Sequence, residues 1–143
     1  MKKRLIAVIL TITLVVMGAS LLGSPATASA SAKWQFGTPK KVRGLFRTKT
    51  VKHHYNQLNI AQNVVYNEIR KPNWPAEKSG KITFLLMWRV PSRKLSSHLY
   101  QIKSVTRNGK HVRYYIKTFS HNRLKISKTM AFANKPYYHR TKD

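Results

Sequence analysis

The stretch LYQIKSVTRNGKHVRYYIKTF, residues 99–119, carries the strongest local pattern in the sequence. Two runs of alternating apolar and polar residues flank Asn108-Gly109, the dipeptide that a two-residue hairpin turn prefers. With such a turn, Val105 faces Val112 on the opposite strand. The pattern therefore predicts an antiparallel β-hairpin and indicates a protein built from strands.

Other segments have the composition of short strands. Residues 42–48 alternate at period two, and the apolar run KITFLLMWRV at 81–90 predicts a central strand covered on both faces. Residues 55–69 fit a strand or one helical face, and we interpret them as strand because their asparagines are weak helix formers. Residues 123–127 and 130–138 supply further segments. We expect a mainly β fold, a small antiparallel barrel or sandwich of five to seven short strands.

The N-terminus predicts export. A basic segment at residues 2–4 precedes an apolar stretch at 5–22, and small residues follow with the A-x-A spacing that a signal peptidase reads. An uncleaved membrane anchor is the alternative, because the apolar stretch is just long enough to cross a bilayer. We predict a signal-peptide helix within residues 1–30, cleavage after Ala30, and a single basic β-rich domain at 31–143.

The charge balance excludes several classes of function. The chain has 28 Lys+Arg against 3 Asp+Glu, a formal charge of +25, and no cysteine. Three carboxylates are too few for oxygen-ligated calcium or for two-metal catalysis. The absence of cysteine excludes disulfides, thiol nucleophiles and Cys-ligated zinc. Removal of residues 1–30 takes away three bases and leaves +22, far more than solubility needs, so we expect an anionic partner.

The candidate binding residues are basic clusters with aromatic residues between them. Lys and Arg clusters attract phosphates, and exposed rings stack on sugars or bases. The alternative for each ring is an ordinary place in the core. The predicted polyanion-binding residues are Lys40, Lys41, Arg43, Arg47, Lys49, Lys52, Arg107, Lys110, Arg113, Arg123, Lys125 and Lys128, and the predicted aromatic contacts are Trp34, Tyr115, Tyr137 and Tyr138.

The six histidines suggest pH dependence rather than a metal site. Protonation near pH 6.5 would add positive charge, so polyanion binding should tighten as the pH falls. Adjacent His53 and His54 point opposite ways on a strand, and no recognised ligand spacing is present. We therefore predict no metal and no cofactor.

Two enzymatic alternatives and one membrane alternative remain open. A secreted nuclease could use two histidines, or one histidine and Glu68, as general acid and base. A wall hydrolase would need Glu68 and Glu77 to face each other across a cleft. A cationic antimicrobial protein could bind lipid head groups through charge. We favour a non-enzymatic protein, because nothing in the spacing places two catalytic groups in one cleft.

A resemblance rests on three pieces of sequence. The motif W-x-x-G-T-P-K-x-V-R-G-x-F-R-x-K at Trp34 to Lys49, the NGK hairpin at 108–110 and the YYHR-x-K ending at 137–142 resemble small secreted basic proteins of lactobacilli and related Gram-positive bacteria. The resemblance implies export, a compact β-rich domain and an extracellular or cell-surface location. It carries no catalytic residue across, since the family has no established activity.

The sequence as a whole predicts an exported binding module for anionic polymers of the cell envelope. Its expected partners are anionic polymers of the Gram-positive wall, such as teichoic acid, with anionic lipids and extracellular nucleic acid as alternatives. We expect the secreted protein to be held at the cell surface by electrostatics, with an affinity that falls as salt rises.

Overall fold

The computed structural model describes residues 32–87, 89–106 and 108–142. The predicted signal-peptide helix and cleavage site lie outside these ranges. In the described part of the chain, no helix has the length and hydropathy of a membrane span.

One curled antiparallel sheet forms a half-barrel. Its spatial order is β4-β3-β2-β1-β9-β8-β7-β6-β5, so the last strand lies between two runs of sequential strands. The mainly β prediction is confirmed, whereas the prediction of five to seven strands is too low. The strands are β1 Gly44–Arg47, β2 Tyr55–Ile60, β3 Val65–Arg70, β4 Lys81–Leu86, β5 Ser92–Ser96, β6 Leu99–Val105, β7 His111–Ser120, β8 Arg123–Ser127 and β9 Tyr138–Arg140.

The strand number is higher because residues 55–69 form two strands and because β5 lies outside the predicted segments. Residues 55–69 form β2 and β3, which turn back tightly where the amide of Ala61 donates to the carbonyl of Val64 at 2.9 Å. The run at 81–90 contributes only β4, and the chain then bends before β5. The outcome for residues 55–69 supports the strand interpretation over the helical one.

The predicted hairpin forms between β6 and β7, but in a different register. Val105 faces His111, not Val112, and the loop has three residues between Thr106 and Lys110. Gly109 supplies the left-handed residue of this loop, with φ +75 and its amide 2.9 Å from the carbonyl of Thr106. A one-residue shift in register moves the side chains of one strand to the opposite face relative to those of the other strand. The observed register therefore puts apolar residues of both strands on the same side.

The core fills the concave side of the sheet. Alternate residues of most strands point inward, as period-two geometry requires. The buried apolar residues include Phe46, Leu58, Ile60, Val65, Leu86, Ile102, Tyr114, Ile116, Leu124 and Tyr138. Of the outward residues between them, Gln57, Glu68, Arg70, Gln101 and Lys125 are buried, so only the remaining ones are available for contact with a partner.

Strand β4 is not the central strand that its apolar run predicts. It ends the spatial order, and Ile82 is 53% exposed. At its end the run crosses toward β6, where Met87 bridges Val105 and its carbonyl accepts a hydrogen bond from Ser104 Oγ at 2.9 Å. Leu86 is buried close to that crossing.

A buried ion pair fixes the loop between β3 and β4. The Glu68 carboxylate accepts hydrogen bonds from Arg70 Nη1 at 3.1 Å, from Gln57 Nε2 at 2.9 Å and from the amide of Gly80 at 2.9 Å. Arg70 Nη2 also donates to the carbonyl of Pro75 at 2.8 Å. These bonds hold both ends of the loop against the sheet.

Candidate polyanion-binding surface

Basic side chains cover the outer side of strands β1 and β5 to β9. They project outward because they alternate with buried residues such as Phe46, Ile102 and Leu124. We call this set the basic face. Its members are Arg47, Arg93, Lys103, Arg113, Lys117, Arg123 and His139.

Bases on the basic face lie directly opposite one another on neighbouring strands. Lys103 pairs with Arg113, and Lys117 pairs with Lys125, which is buried and lies next to the basic face. Neighbouring strands are about 4.8 Å apart, and like charges in such positions repel.

The same arrangement continues on the other side of β8. His139 lies between Arg47 and Arg123 in the register of β1, β9 and β8. Among the described residues, Glu68 is buried against Arg70 and is linked to Arg47 only through Gln57, while Glu77 lies in the loop beyond β3. The arrangement favours an external anion that separates the charges.

Two exposed rings lie among these bases. Phe119 and Tyr137 are 36% and 39% exposed and make an edge-to-face contact with centroids 5.0 Å apart. Arg123 and Lys125 approach the Tyr137 ring at 4.9 and 4.2 Å. The structure thus brings the predicted Arg123, Lys125 and Tyr137 together.

Sequence reasoning missed Lys117 and Phe119, which belong to the same group. Lys117 Nζ lies 5.6 Å from the Phe119 ring centroid. The signal that could have found them is the alternation of β7, in which Arg113, Tyr115, Lys117 and Phe119 recur at every second residue. Residues at that spacing share one face of a strand, so two predicted members implied the other two.

Lys125 has a structural role as well as a charge. Its side chain is buried, and Nζ donates to the carbonyls of Phe132 at 2.9 Å and Ala133 at 3.3 Å. Its ammonium group therefore anchors the loop between β8 and β9. Because this side chain is buried, direct contact with an anion would fall to its exposed neighbours.

Trp34 extends the basic face at the β5 side. The indole lies 4.0 Å from Lys103 Nζ and 4.8 Å from the Arg93 guanidinium. Backbone bonds between Gln35 and Ser92 at 2.7 and 2.9 Å dock this segment. Both cations lie over the ring, which places an aromatic surface beside two bases.

Tyr115 lies beside the basic face, but a hydrogen bond restrains its side chain. Its hydroxyl accepts a hydrogen bond from Gln101 Nε2 at 2.9 Å, and the side chain is half-buried. The ring edge is therefore available only in part. Its place opposite Ser127 keeps it between β6 and β8.

A cleft opens beside the basic face, with a volume of about 550 Å³. The β1–β2 hairpin forms one wall, and residues of β8, β9 and the preceding segment form the other. Its charged and aromatic lining consists of Lys49, His54, Tyr55, Arg123, Tyr137 and His139. The predicted Lys49, Arg123 and Tyr137 thus share one cleft.

Other predicted residues lie apart from this surface. Lys40 and Lys41 line a second cleft of about 400 Å³ together with Arg43, which is held by the carbonyl of Thr38 at 2.8 Å. Lys110 and Lys128 line the opening between β4 and the β6–β7 hairpin. Lys52 is exposed at the tip of the β1–β2 hairpin, and Arg107 lies outside the described residues.

Tyr138 differs from the prediction of an aromatic contact. It is 5% exposed, and its hydroxyl donates to Asn67 Oδ1 at 2.9 Å on the opposite side of the core. Burial raises the pKa of this phenol to about 12. Adjacent Tyr137 faces outward because successive residues of an extended chain point to opposite faces.

The two carboxylates weighed for catalysis lie in different environments. Glu68 is saturated by three donors, whereas Glu77 is exposed in the loop. Within the described ranges, no three His, Asp or Glu side chains group as a metal site would.

No protein-family model matches the chain, and no curated protein or solved structure shows significant similarity to it.

Proposed function

We propose that the protein is an exported, non-enzymatic binding module that holds anionic polymers of the cell envelope against its basic face. The proposal rests on the like-charged pairs Lys103–Arg113 and Lys117–Lys125 across neighbouring strands, with no carboxylate among the residues of the basic face. Such pairs destabilise a bare sheet and are relieved by a bound polyanion.

The layout of the face suits a flexible phosphate polymer. Its bases follow one another across six strands, and Trp34, Phe119 and Tyr137 lie between them. A chain laid across the strands can place successive phosphates near successive bases. Its sugar or polyol units can then lie on the rings.

A wall phosphate polymer such as teichoic acid is our proposed ligand, with the protein retained at the cell surface by charge. The affinity should then be shared among many contacts. Loss of one base should weaken binding modestly, and rising salt should weaken it steeply, because each phosphate contact releases counterions.

The test is a salt series of pull-downs with the purified protein. The binding partners are intact walls, walls stripped of teichoic acid, anionic liposomes and RNA, and the RNA is examined for cleavage. We expect retention on intact walls below about 0.2 M salt, its loss on stripped walls, and intact RNA.

Three outcomes would contradict the proposal. Equal retention on stripped walls would exclude the phosphate polymer as the ligand, and preference for liposomes would favour a membrane-directed protein. Cleavage of RNA that disappears on single histidine substitutions would identify a nuclease.

A further inference from the structure

The cleft beside the basic face concentrates positive charge in a small volume. Lys49 and Arg123 contribute permanent charges, and His54 and His139 can add two more on protonation. Tyr55 and Tyr137 contribute the aromatic part of the walls. No carboxylate is among its lining residues, so nothing within the cleft compensates these charges.

The local structure fixes how His54 takes up a proton. Its Nδ1 lies 2.9 Å from the carbonyl oxygen of Lys52. A carbonyl can only accept, so Nδ1 carries the hydrogen and Nε2 is the atom that gains a proton on acidification. The neutral ring therefore has one defined tautomer.

An unfavourable backbone conformation holds this histidine in place. Lys52 and His53 form the two central residues of the hairpin turn, closed by reciprocal bonds between Val51 and His54 at 2.7 and 3.0 Å. Both central residues have positive φ, 48 and 62, where Asn and Gly are preferred. Each costs about 1 kcal/mol or more, and such conformations concentrate at functional sites.

His139 is placed between two other bases. Its strand partners are Arg47 on one side and Arg123 on the other. A phosphate bound among these side chains would attract a proton to the imidazole. Phosphate binding and protonation of this histidine should therefore favour each other.

We propose that this cleft binds one phosphodiester group of the polymer and that His54 and His139 make this binding tighter at acidic pH, an inference that rests on the proposed function. The charged and titratable groups that face the site come from three regions. They are Lys49, His54 and Tyr55 from the β1–β2 hairpin, Arg123 from β8, and Tyr137 and His139 from β9 and its preceding residue, with Arg47 adjacent.

The test is calorimetric titration of the purified protein with a short poly(glycerol phosphate) at pH 7.5 and pH 5.5. A phosphodiester keeps its charge over this range, so any change in affinity belongs to the protein. We expect binding about 3- to 10-fold tighter at pH 5.5 for each histidine that contacts the phosphate. Proton NMR of the imidazoles should show that the ligand shifts the protonation midpoints of these two residues upward.

Matched variants separate this cleft from the rest of the molecule. His54→Gln with His139→Gln should remove the pH dependence, while exposed His111→Gln should leave it intact. The pair His98→Gln and His121→Gln, which lies in the second cleft, should also leave it intact.

Survival of the pH dependence in the His54/His139 double variant would overturn the inference, as would equal wild-type affinity at both pH values. If walls still retain the protein in that case, the proposed function stands without this site. If walls do not retain it at all, the proposed function itself is wrong. Tighter binding of an RNA oligonucleotide at equal phosphate concentration would reassign the cleft to nucleic acid.

Discussion

Neutralisation of three bases on the basic face gives the sharpest test of how the protein binds. Lys103→Gln, Arg113→Gln and Lys117→Gln remove one complete like-charged pair and half of another. For a flexible phosphate chain, each lost contact lowers the slope of log affinity against log salt by about 0.7. We expect the slope to fall by about 2 and the affinity at 0.1 M salt to fall about 100-fold.

The same substitutions should leave the fold nearly as stable as before. Relief of repulsion gains about 0.2 to 1 kcal/mol for each pair. Loss of the Lys103 contact with Trp34, at 4.0 Å, costs about 0.5 to 1 kcal/mol. The two terms oppose each other, so the free energy of unfolding in urea should change by less than about 1 kcal/mol.

A control variant with the same loss of charge separates position from net charge. Lys71→Gln, Lys78→Gln and Lys81→Gln change exposed bases at and before β4, at the far end of the strand order. Both triple variants are titrated with poly(glycerol phosphate) between 0.05 and 0.5 M salt, values chosen to span the screening range. An equal loss in the control would refute the basic face as the binding surface and leave only a net-charge effect.

Two further predictions concern the interior. Glu68→Gln should lower the free energy of unfolding by about 3 to 5 kcal/mol, because Arg70 is left buried without its counter-charge, while Glu77→Gln should have no measurable effect in the same urea titration. The pKa of Tyr138 is raised to about 12, above the value near 10 expected in the unfolded chain. Its contribution to the free energy of unfolding is therefore complete below pH 10 and is lost as the pH rises toward 12. Tyr138→Phe should remove about 2 to 3 kcal/mol of the fall in unfolding free energy at alkaline pH, whereas Tyr137→Phe should not. Equal urea midpoints at pH 9 and 11.5 in the wild type would contradict this reasoning.

The strand content was predictable because period-two alternation is a local property. The β6–β7 hairpin, for instance, follows from its own residues. Its register did not follow, since Asn108-Gly109 is compatible with a two-residue turn and with a three-residue loop that has glycine at its end. The choice depends on which register puts Ile102 and Tyr114 on the same side of the core, which is a tertiary effect.

The candidate site was predictable in composition but not in arrangement. The sequence pattern predicted Arg123 and Lys125, which lie two residues apart on β8, and Tyr137, which immediately precedes β9. The pairing of Lys103 with Arg113 and of Lys117 with Lys125 depends on strand register. The placement of Tyr138 in the core could not be separated from that of Tyr137, since adjacent residues of one strand exchange faces when the strand moves by one residue.

The position of β9 has a consequence for the order of folding. Strands β1 to β4 and β5 to β8 are two meanders in which each strand pairs with its neighbour in sequence, so both can form from local contacts. They are joined through Tyr138–Arg140, which pairs with β1 and β8. A chain that crosses a membrane N-terminus first therefore cannot complete its sheet until these late residues have emerged. If the protein is exported unfolded, as proposed above, this topology would delay closure of the fold until translocation is nearly finished.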